Sequence, residues 1–275
     1  MNKSYLFGRT VNALAEISPR RAGQLALSVF RTPREGKLDR LQHPYLRQVE
    51  YRALRLRNLN VATYAWPGEG PRVLLCHGWE SNTARWKPLI SALQQQDYHV
   101  LALDAPAHGA SGGTQFDAIL YSEMIDVAVR ELRPQLIVGH SAGGMATALW
   151  LANYPLQEVR RGVLMATPFD LGSMVDYYCT MVQMGEKARA CMDEEIERVY
   201  GFRIADLTLR DLAPKFSVPG LVIHDEQDAV VSVEAARAIH ELWNDSRLLI
   251  TKGLQHTLQS KRVYRAILEE AAQLR

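Results

Sequence analysis

The sequence has few cysteines and no long apolar run. Its three cysteines, Cys76, Cys179 and Cys191, form no even disulfide framework and no C-x-x-C pair, which favours a reducing compartment. No apolar run approaches the roughly 18 residues of a membrane span, and the N-terminus has no uninterrupted apolar segment of the kind found in secretory signals. We therefore expect a cytoplasmic protein that does not insert into membranes.

The chain also lacks a strong net charge and a metal-ligand motif. The formal net charge is +2 over 275 residues, so no global field favours nucleic acid. Residues 1–60 do carry 12 Lys and Arg against 4 Asp and Glu, which predicts a solvated basic face. No H-x-x-x-H pair or similar spacing occurs, and we expect neither a metal nor a cofactor. The oligomeric state is not indicated.

One stretch, residues 136–150, combines an apolar run, a glycine-flanked serine and a run of helix formers. This order predicts a strand, a tight turn and a helix, with Ser141 at the tip of the turn. Gly139 and Gly143 leave the space that so sharp a turn needs, as in the nucleophile-elbow pattern G-x-S-x-G. The pattern alone is equally compatible with a glycine-rich turn that carries a solvated serine.

From Val49 onward, short apolar strands alternate with helical stretches. Strict alternation of this kind predicts an α/β fold, a mostly parallel twisted sheet with helices on both faces. The carboxyl ends of its strands are where functional groups gather. Before it, apolar positions at helical spacing predict two short amphipathic helices separated at Ser18-Pro19. A membrane-surface helix is the alternative interpretation of this basic segment.

Three candidate catalytic groups each follow a predicted strand. Ser141 comes first, then the acids Asp225 and Asp228 after residues 220–224, then His256 after residues 247–251. A serine, an acid and a histidine in this chain order are typical of one arrangement of the hydrolytic triad. His77, His108, His140 and His224 also lie near strand ends, and we expect them to orient loops through backbone hydrogen bonds.

From residue 49 to 275 the chain resembles the α/β-hydrolase superfamily. The resemblance is carried by His77-Gly78-Trp79, residues 104–111, residues 139–143, Asp228 and His256. It implies the α/β-hydrolase fold with a triad of Ser141, Asp228 and His256. It also implies an oxyanion site formed by the backbone N–H groups of Trp79 and Ala142. Residues 224–228 depart from the superfamily's H-G-x-x-D pattern in having Asp225 at the usual glycine, so Asp225 remains an alternative acid.

The resemblance also implies a helical cap between the core strands. We predict an N-terminal helical extension at 1–48, a core at 49–168 and 216–275, and a cap at 169–215. Within the cap, several large side chains share a helical spacing and are predicted to pack the cap and to contact substrate. They are Met174, Tyr177, Tyr178 and Met181, with Met184 on the same predicted face.

These features predict a serine hydrolase that cleaves carboxylic esters through an acyl-enzyme intermediate, a carboxylesterase acting on small to medium apolar substrates. Thioesterase, lipase-like, amidase and C–C bond hydrolase activities use the same triad. A hydrolase-like protein that binds a ligand without turnover is the alternative from a different class.

Overall fold

The computed structural model describes residues 3–41 and 43–275, with the side chains of residues 3–5 left out. The chain divides into two compact units. The first combines the described part of residues 1–32 with residues 170–209, and the second combines residues 33–169 with residues 210–275. The predicted boundaries at residues 48, 168 and 215 remain a prediction.

The second unit contains a single sheet of eight strands within the described residues. The strands are β1 (Glu50–Leu56), β2 (Leu59–Trp66), β3 (Arg72–Cys76), β4 (His99–Leu103), β5 (Leu136–His140), β6 (Arg161–Met165), β7 (Gly220–Asp225) and β8 (Ser246–Thr251). Their spatial order is β1-β2-β4-β3-β5-β6-β7-β8. The β1–β2 hairpin and the β2–β4 pair are antiparallel, and every later pair is parallel.

Helices pack on both faces of this sheet, so the side chains of its central strands are buried on both sides. They are α3 (Lys87–Gln94), α4 (Ala118–Leu132), α5 (Ala142–Asn153), α9 (Val233–Leu242) and α10 (Lys261–Ala272). A single helical turn, α8 (Leu209–Leu212), begins at the last residue of the first unit. Ile90 of α3 and Ile267 of α10 belong to one buried cluster with Leu75 and Val138 of the sheet. Leu74 and Ile137, which alternate with those strand residues, are fully buried as well. Continuous apolar strands are expected in a parallel sheet covered on both sides, and the predicted fold class is confirmed.

The first unit is a cluster of four helices. They are α1 (Lys3–Ile17), α2 (Pro19–Phe30), α6 (Leu171–Val182) and α7 (Glu186–Tyr200). The predicted break at Ser18-Pro19 is confirmed, with Pro19 as the first residue of α2. Helices α2 and α7 approach so closely that a Cβ on Gly23 would lie 2.2 Å from the Cys191 carbonyl oxygen. No described helix is both long enough and apolar enough to cross a bilayer.

Candidate active site

Ser141 occupies the sharp turn between β5 and α5. Its φ of 55° and ψ of −123° lie outside the usual regions for a residue with a side chain, so its backbone is strained. A Cβ on Gly139 would lie 2.7 Å from the Gly143 carbonyl oxygen, and one on Gly143 would lie 2.3 Å from the His77 carbonyl oxygen. Both glycines are therefore required by the turn, as the sequence pattern predicts.

His256 reaches Ser141 from the turn that follows β8. Its Nε2 lies 2.9 Å from Ser141 Oγ, and its Nδ1 lies 2.7 Å from Asp228 Oδ2. A carboxylate can only accept, so Nδ1 carries the proton and Nε2 is left to accept from the Ser141 hydroxyl. The imidazole is 23% exposed. This tautomer is the one that can act as a base toward Ser141.

Asp228 lies in the loop after β7, and its side chain is inaccessible to solvent. Its Oδ1 accepts from the amides of Val230 and Val231, and its Oδ2 lies 3.2 Å from His224 Nε2 in addition to His256 Nδ1. Burial alone raises the pKa of this carboxyl group, but the hydrogen bonds from His224, His256 and the Val231 amide outweigh burial and hold its pKa well below the usual range. Asp228 is therefore ionised and directed at His256.

The carboxylate of Asp225, the alternative acid, binds groups other than His256. Its Oδ2 accepts from the Thr251 hydroxyl at 2.7 Å and from the Leu254 amide at 3.0 Å. Its Oδ1 accepts from the Gln227 amide at 3.0 Å. The structure thus places the Asp228 carboxylate against His256. The Asp225 carboxylate instead binds Thr251 and Leu254, at the start of the loop that carries His256.

The remaining strand-end histidines bind backbone groups, as expected. His77 Nδ1 lies 2.8 Å from the Gly78 carbonyl oxygen, and His108 Nδ1 lies 2.7 Å from the Pro106 carbonyl oxygen. His140 Nε2 lies 2.8 Å from the His256 carbonyl oxygen, and His224 Nε2 lies 2.9 Å from that of Val231. The expected backbone hydrogen bonds are confirmed, and the loop-orienting role stays a prediction.

Comparison with known proteins gives the same architecture. A sequence model described as alpha/beta hydrolase fold matches residues 71–178, a range that holds Trp79 and Ser141. The solved structure of an esterase from Exiguobacterium antarcticum superposes with a TM-score of 0.65 over 82% of this chain and 100% of that chain, at 16% sequence identity. The chain has the α/β-hydrolase fold. The resemblance inferred from the sequence is confirmed.

Two curated proteins show how far this likeness extends in sequence. The (E)-2-((N-methylformamido)methylene)succinate hydrolase of Acinetobacter baylyi is 35% identical over 101 residues, which are 35% of this chain and 38% of that protein. A serine hydrolase-like protein of Danio rerio is 29% identical over 205 residues, which are 70% of this chain and 58% of that protein. The matches therefore span less than two thirds of the length of these two relatives.

In this α/β-hydrolase fold, the predicted oxyanion donors flank Ser141. Ala142 is the first residue of α5, where backbone N–H groups have no partner within the helix. A Cβ on Gly78 would lie 2.9 Å from Ser141 Cβ, so the backbone just before Trp79 touches the serine. Among the described residues, neither the Trp79 nor the Ala142 amide has a hydrogen-bond acceptor. The oxyanion role itself stays a prediction.

His77 fixes the peptide group that contains the Trp79 N–H. Its Nε2 accepts from the Ala105 amide at 3.0 Å, so its proton lies on Nδ1 and is donated to the Gly78 carbonyl oxygen. Burial, with the nearby His108, lowers the pKa of His77 to about 3, which keeps the ring neutral. Because C=O and N–H point in opposite directions across a trans peptide, holding the Gly78 carbonyl also directs the Trp79 N–H.

A buried acid that the sequence analysis did not single out organises the same loops. Asp104 accepts from the Tyr64 hydroxyl at 2.8 Å, the Thr83 amide at 2.9 Å and the Ala110 amide at 2.9 Å. A Cβ on Gly109 would lie 2.0 Å from this carboxylate. No sequence signal links Tyr64 of the hairpin to Asp104, because the pairing depends on β2 lying beside β4.

The predicted substrate residues on α6 do not share one environment. Tyr177 and Met181 are 43% and 45% exposed, Met174 is partly buried, and Tyr178 packs its ring against Phe30 at 5.0 Å. The buried face of α6 consists instead of Val175, Cys179 and Val182. Met184 does not share a face of this helix, because α6 ends at Val182 with Gln183 in a left-handed C-cap. Contact of the other four with substrate stays a prediction.

Proposed function

We propose that this protein is a serine hydrolase that cleaves carboxylic esters through an acyl-enzyme intermediate on Ser141. One observation supports this above the others: Ser141 Oγ, His256 and Asp228 form a continuous chain with separations of 2.9 and 2.7 Å. These are the distances that general-base activation of a hydroxyl nucleophile requires.

In the first half-reaction, Ser141 Oγ forms a bond to the ester carbonyl carbon while its proton passes to His256 Nε2. The charge that develops on the carbonyl oxygen is stabilised by the N–H groups of Ala142 and Trp79. His256 then gives its proton to the departing alkoxide as the bond from carbon to that oxygen breaks. The ionised Asp228 stabilises the transient imidazolium without taking its proton.

In the second half-reaction, water takes the place of the alcohol. His256 Nε2 accepts a proton from water as the water oxygen bonds to the acyl carbon. The same proton returns to Ser141 Oγ as the acyl–oxygen bond breaks and the carboxylic acid leaves. No group other than this chain's own side chains and water is needed to balance the reaction.

The apolar residues predicted to contact substrate favour an apolar acyl group. Tyr177 and Met181 present exposed apolar surface on α6, and methionine adapts to acyl chains of different shape. We propose small to medium acyl esters as the substrate class. Replacing both residues by alanine should raise KM most for the longest acyl chains that are accepted.

The decisive experiment is labelling with a fluorophosphonate probe together with turnover of p-nitrophenyl esters. We expect the protein to be labelled, and Ser141→Ala to lose labelling and about a millionfold in kcat. A panel of acyl chain lengths, presented as oxygen esters and as thioesters, then separates esterase from thioesterase activity. Tight binding of a small ligand with no labelling and no turnover would instead identify a ligand-binding protein.

A further inference from the structure

The turn that carries His256 has an unfavourable backbone conformation. His256 lies in a short 3-10 turn, Gln255–Thr257, and the residues Gln255 and Leu258 have φ values of 53° and 52°. Residues with side chains rarely adopt the left-handed region, and such backbone persists only where its surroundings hold it. The position of the imidazole therefore depends on the groups that bind this turn.

Three side chains from other parts of the same unit bind it. His140 Nε2 lies 2.8 Å from the carbonyl oxygen of His256 itself, and Arg85 Nη2 donates to the Thr257 carbonyl oxygen at 3.1 Å. Asp225 accepts from the Leu254 amide, as described above. The turn is thus held through its backbone on both sides of the imidazole.

The contact from His140 differs from those of Arg85 and Asp225 because His140 is the chain neighbour of the nucleophile. His140 is the last residue of β5 and directly precedes Ser141, so one side chain links the backbone beside the nucleophile to the backbone of the base. The backbone at Gly78 leaves little room beside this ring, since a Cβ there would lie 3.2 Å from His140 Nδ1. The imidazole is buried, with 5% of its surface exposed.

The protonation state of His140 suits this contact. A carbonyl oxygen can only accept, so the hydrogen bond places a proton on Nε2. Burial, followed by the charges of Arg85 and His256, lowers the pKa of His140 well below its usual value, and the ring is neutral with a single N–H. That single N–H is the one directed at His256.

We propose that His140 is a positioning residue whose hydrogen bond to the His256 carbonyl sets the separation of Ser141 Oγ from His256 Nε2. The inference rests on the proposed function, since this separation matters for rate only if His256 activates Ser141. Misplacement of a catalytic group by about 1 Å can cost about a hundredfold in rate, so a lost tether has a measurable effect.

The test compares His140→Met with His140→Gln. Methionine has a similar length but no donor, whereas the glutamine amide nitrogen can take the place of Nε2. We expect His140→Met to lower kcat about 10- to 100-fold with little change in KM, and His140→Gln to recover most of that loss. The matched control is His240→Met, because His240 bonds Ser246 at the start of β8, the opposite end of that strand from His256.

A merely structural role gives a different result. In that case both His140 variants would unfold at lower temperature, and kcat per fluorophosphonate-titrated site would equal that of the wild type. Hydrogen–deuterium exchange of residues 254–258 gives a readout that needs no substrate. Exchange should be faster in His140→Met, unchanged in His140→Gln and unchanged in His240→Met.

Failure of the inference and failure of the proposed function are distinguishable. A wild type that neither reacts with the probe nor turns over any ester overturns both. A labelled, active wild type alongside a His140→Met variant with unchanged kcat per site and unchanged exchange overturns only the role of His140.

Discussion

Asp228 Oδ2 lies between two imidazoles, 2.7 Å from His256 Nδ1 and 3.2 Å from His224 Nε2. The second imidazole is buried and also bonds the Val231 carbonyl oxygen, so it is a second nitrogen contact to the oxygen that binds the base. A carboxylate with this many donors is fixed in both orientation and charge. His224 therefore supports the proposed triad without touching the serine.

Replacing His224 by phenylalanine should weaken this support. A hydrogen bond to a charged group contributes about 1.5–3 kcal/mol, so we expect kcat/KM for p-nitrophenyl esters to fall about 10- to 100-fold. His224→Gln retains a donor and should recover part of the loss. Equal activity in both variants and the wild type would show that Asp228 needs no second imidazole.

The two acids at the carboxyl end of β7, Asp225 and Asp228, should respond differently to loss of charge. Asp228→Asn removes the carboxylate that orients His256. We expect kcat to fall about 10,000-fold, because the base loses the charged partner that fixes its tautomer. Asp225→Asn changes the acceptor for the Thr251 hydroxyl and for the Leu254 and Gln227 amides, none of which reacts, so we expect a loss of about tenfold in kcat and lower stability. Steady-state kinetics and urea unfolding of both variants check this. The reverse order of kcat losses would make Asp225 the triad acid.

The position of the acids shows what the sequence could and could not predict. Strands were predictable because each central strand is a short continuous apolar run. Ser141 was predictable because it directly follows one, and His256 because it lies in the loop after the predicted strand at 247–251. The choice between Asp225 and Asp228 was not settled by the residues themselves, because both lie within four residues of the predicted strand at 220–224. The path of the loop between Asp225 and Val231 decides it.

Other features could not be predicted from the sequence, because they depend on packing between elements that are distant in the chain. Glu270 resembles a surface residue of an amphipathic helix, yet it is fully buried and accepts from Arg161 Nε at 2.7 Å and Arg247 Nε at 2.8 Å. The sequence spacing on α6 likewise did not show which face is buried, since Val175 and Cys179 pack inside the helical cluster while Met181 does not.

Stability should depend on pH through Asp228. Its pKa in the folded protein lies below the usual value of about 3.9, so the ionised carboxylate stabilises the fold fully above that pH and the contribution is lost as pH falls through the lower, folded-state pKa. Asp228→Asn lacks this contribution. The difference in unfolding free energy between wild type and variant should therefore be largest near pH 7 and shrink below about pH 4.

Urea unfolding at pH 7, 5 and 3.5 measures that difference. Asp39→Asn is a suitable control, because Asp39 bonds the Leu41 amide in an exposed loop. Its effect on stability should be small at every pH. A wild-type advantage over Asp228→Asn that grows as pH falls would contradict the ionised, hydrogen-bonded state described for this carboxylate.

Gly78→Ala tests the close approach of the Gly78–Trp79 backbone to the serine. The added methyl group would lie 2.9 Å from Ser141 Cβ and 3.1 Å from the His140 carbonyl oxygen, so one of these loops must shift by a few tenths of an ångström. Because the Trp79 N–H is the proposed oxyanion donor, we expect kcat to fall about 100-fold with a smaller change in KM. Gly185→Ala is the control, since its φ is −78° and the atom nearest to the added carbon lies 3.6 Å away, an ordinary contact. Normal kcat in Gly78→Ala, with an unchanged unfolding temperature, would show that this backbone does not take part in the reaction.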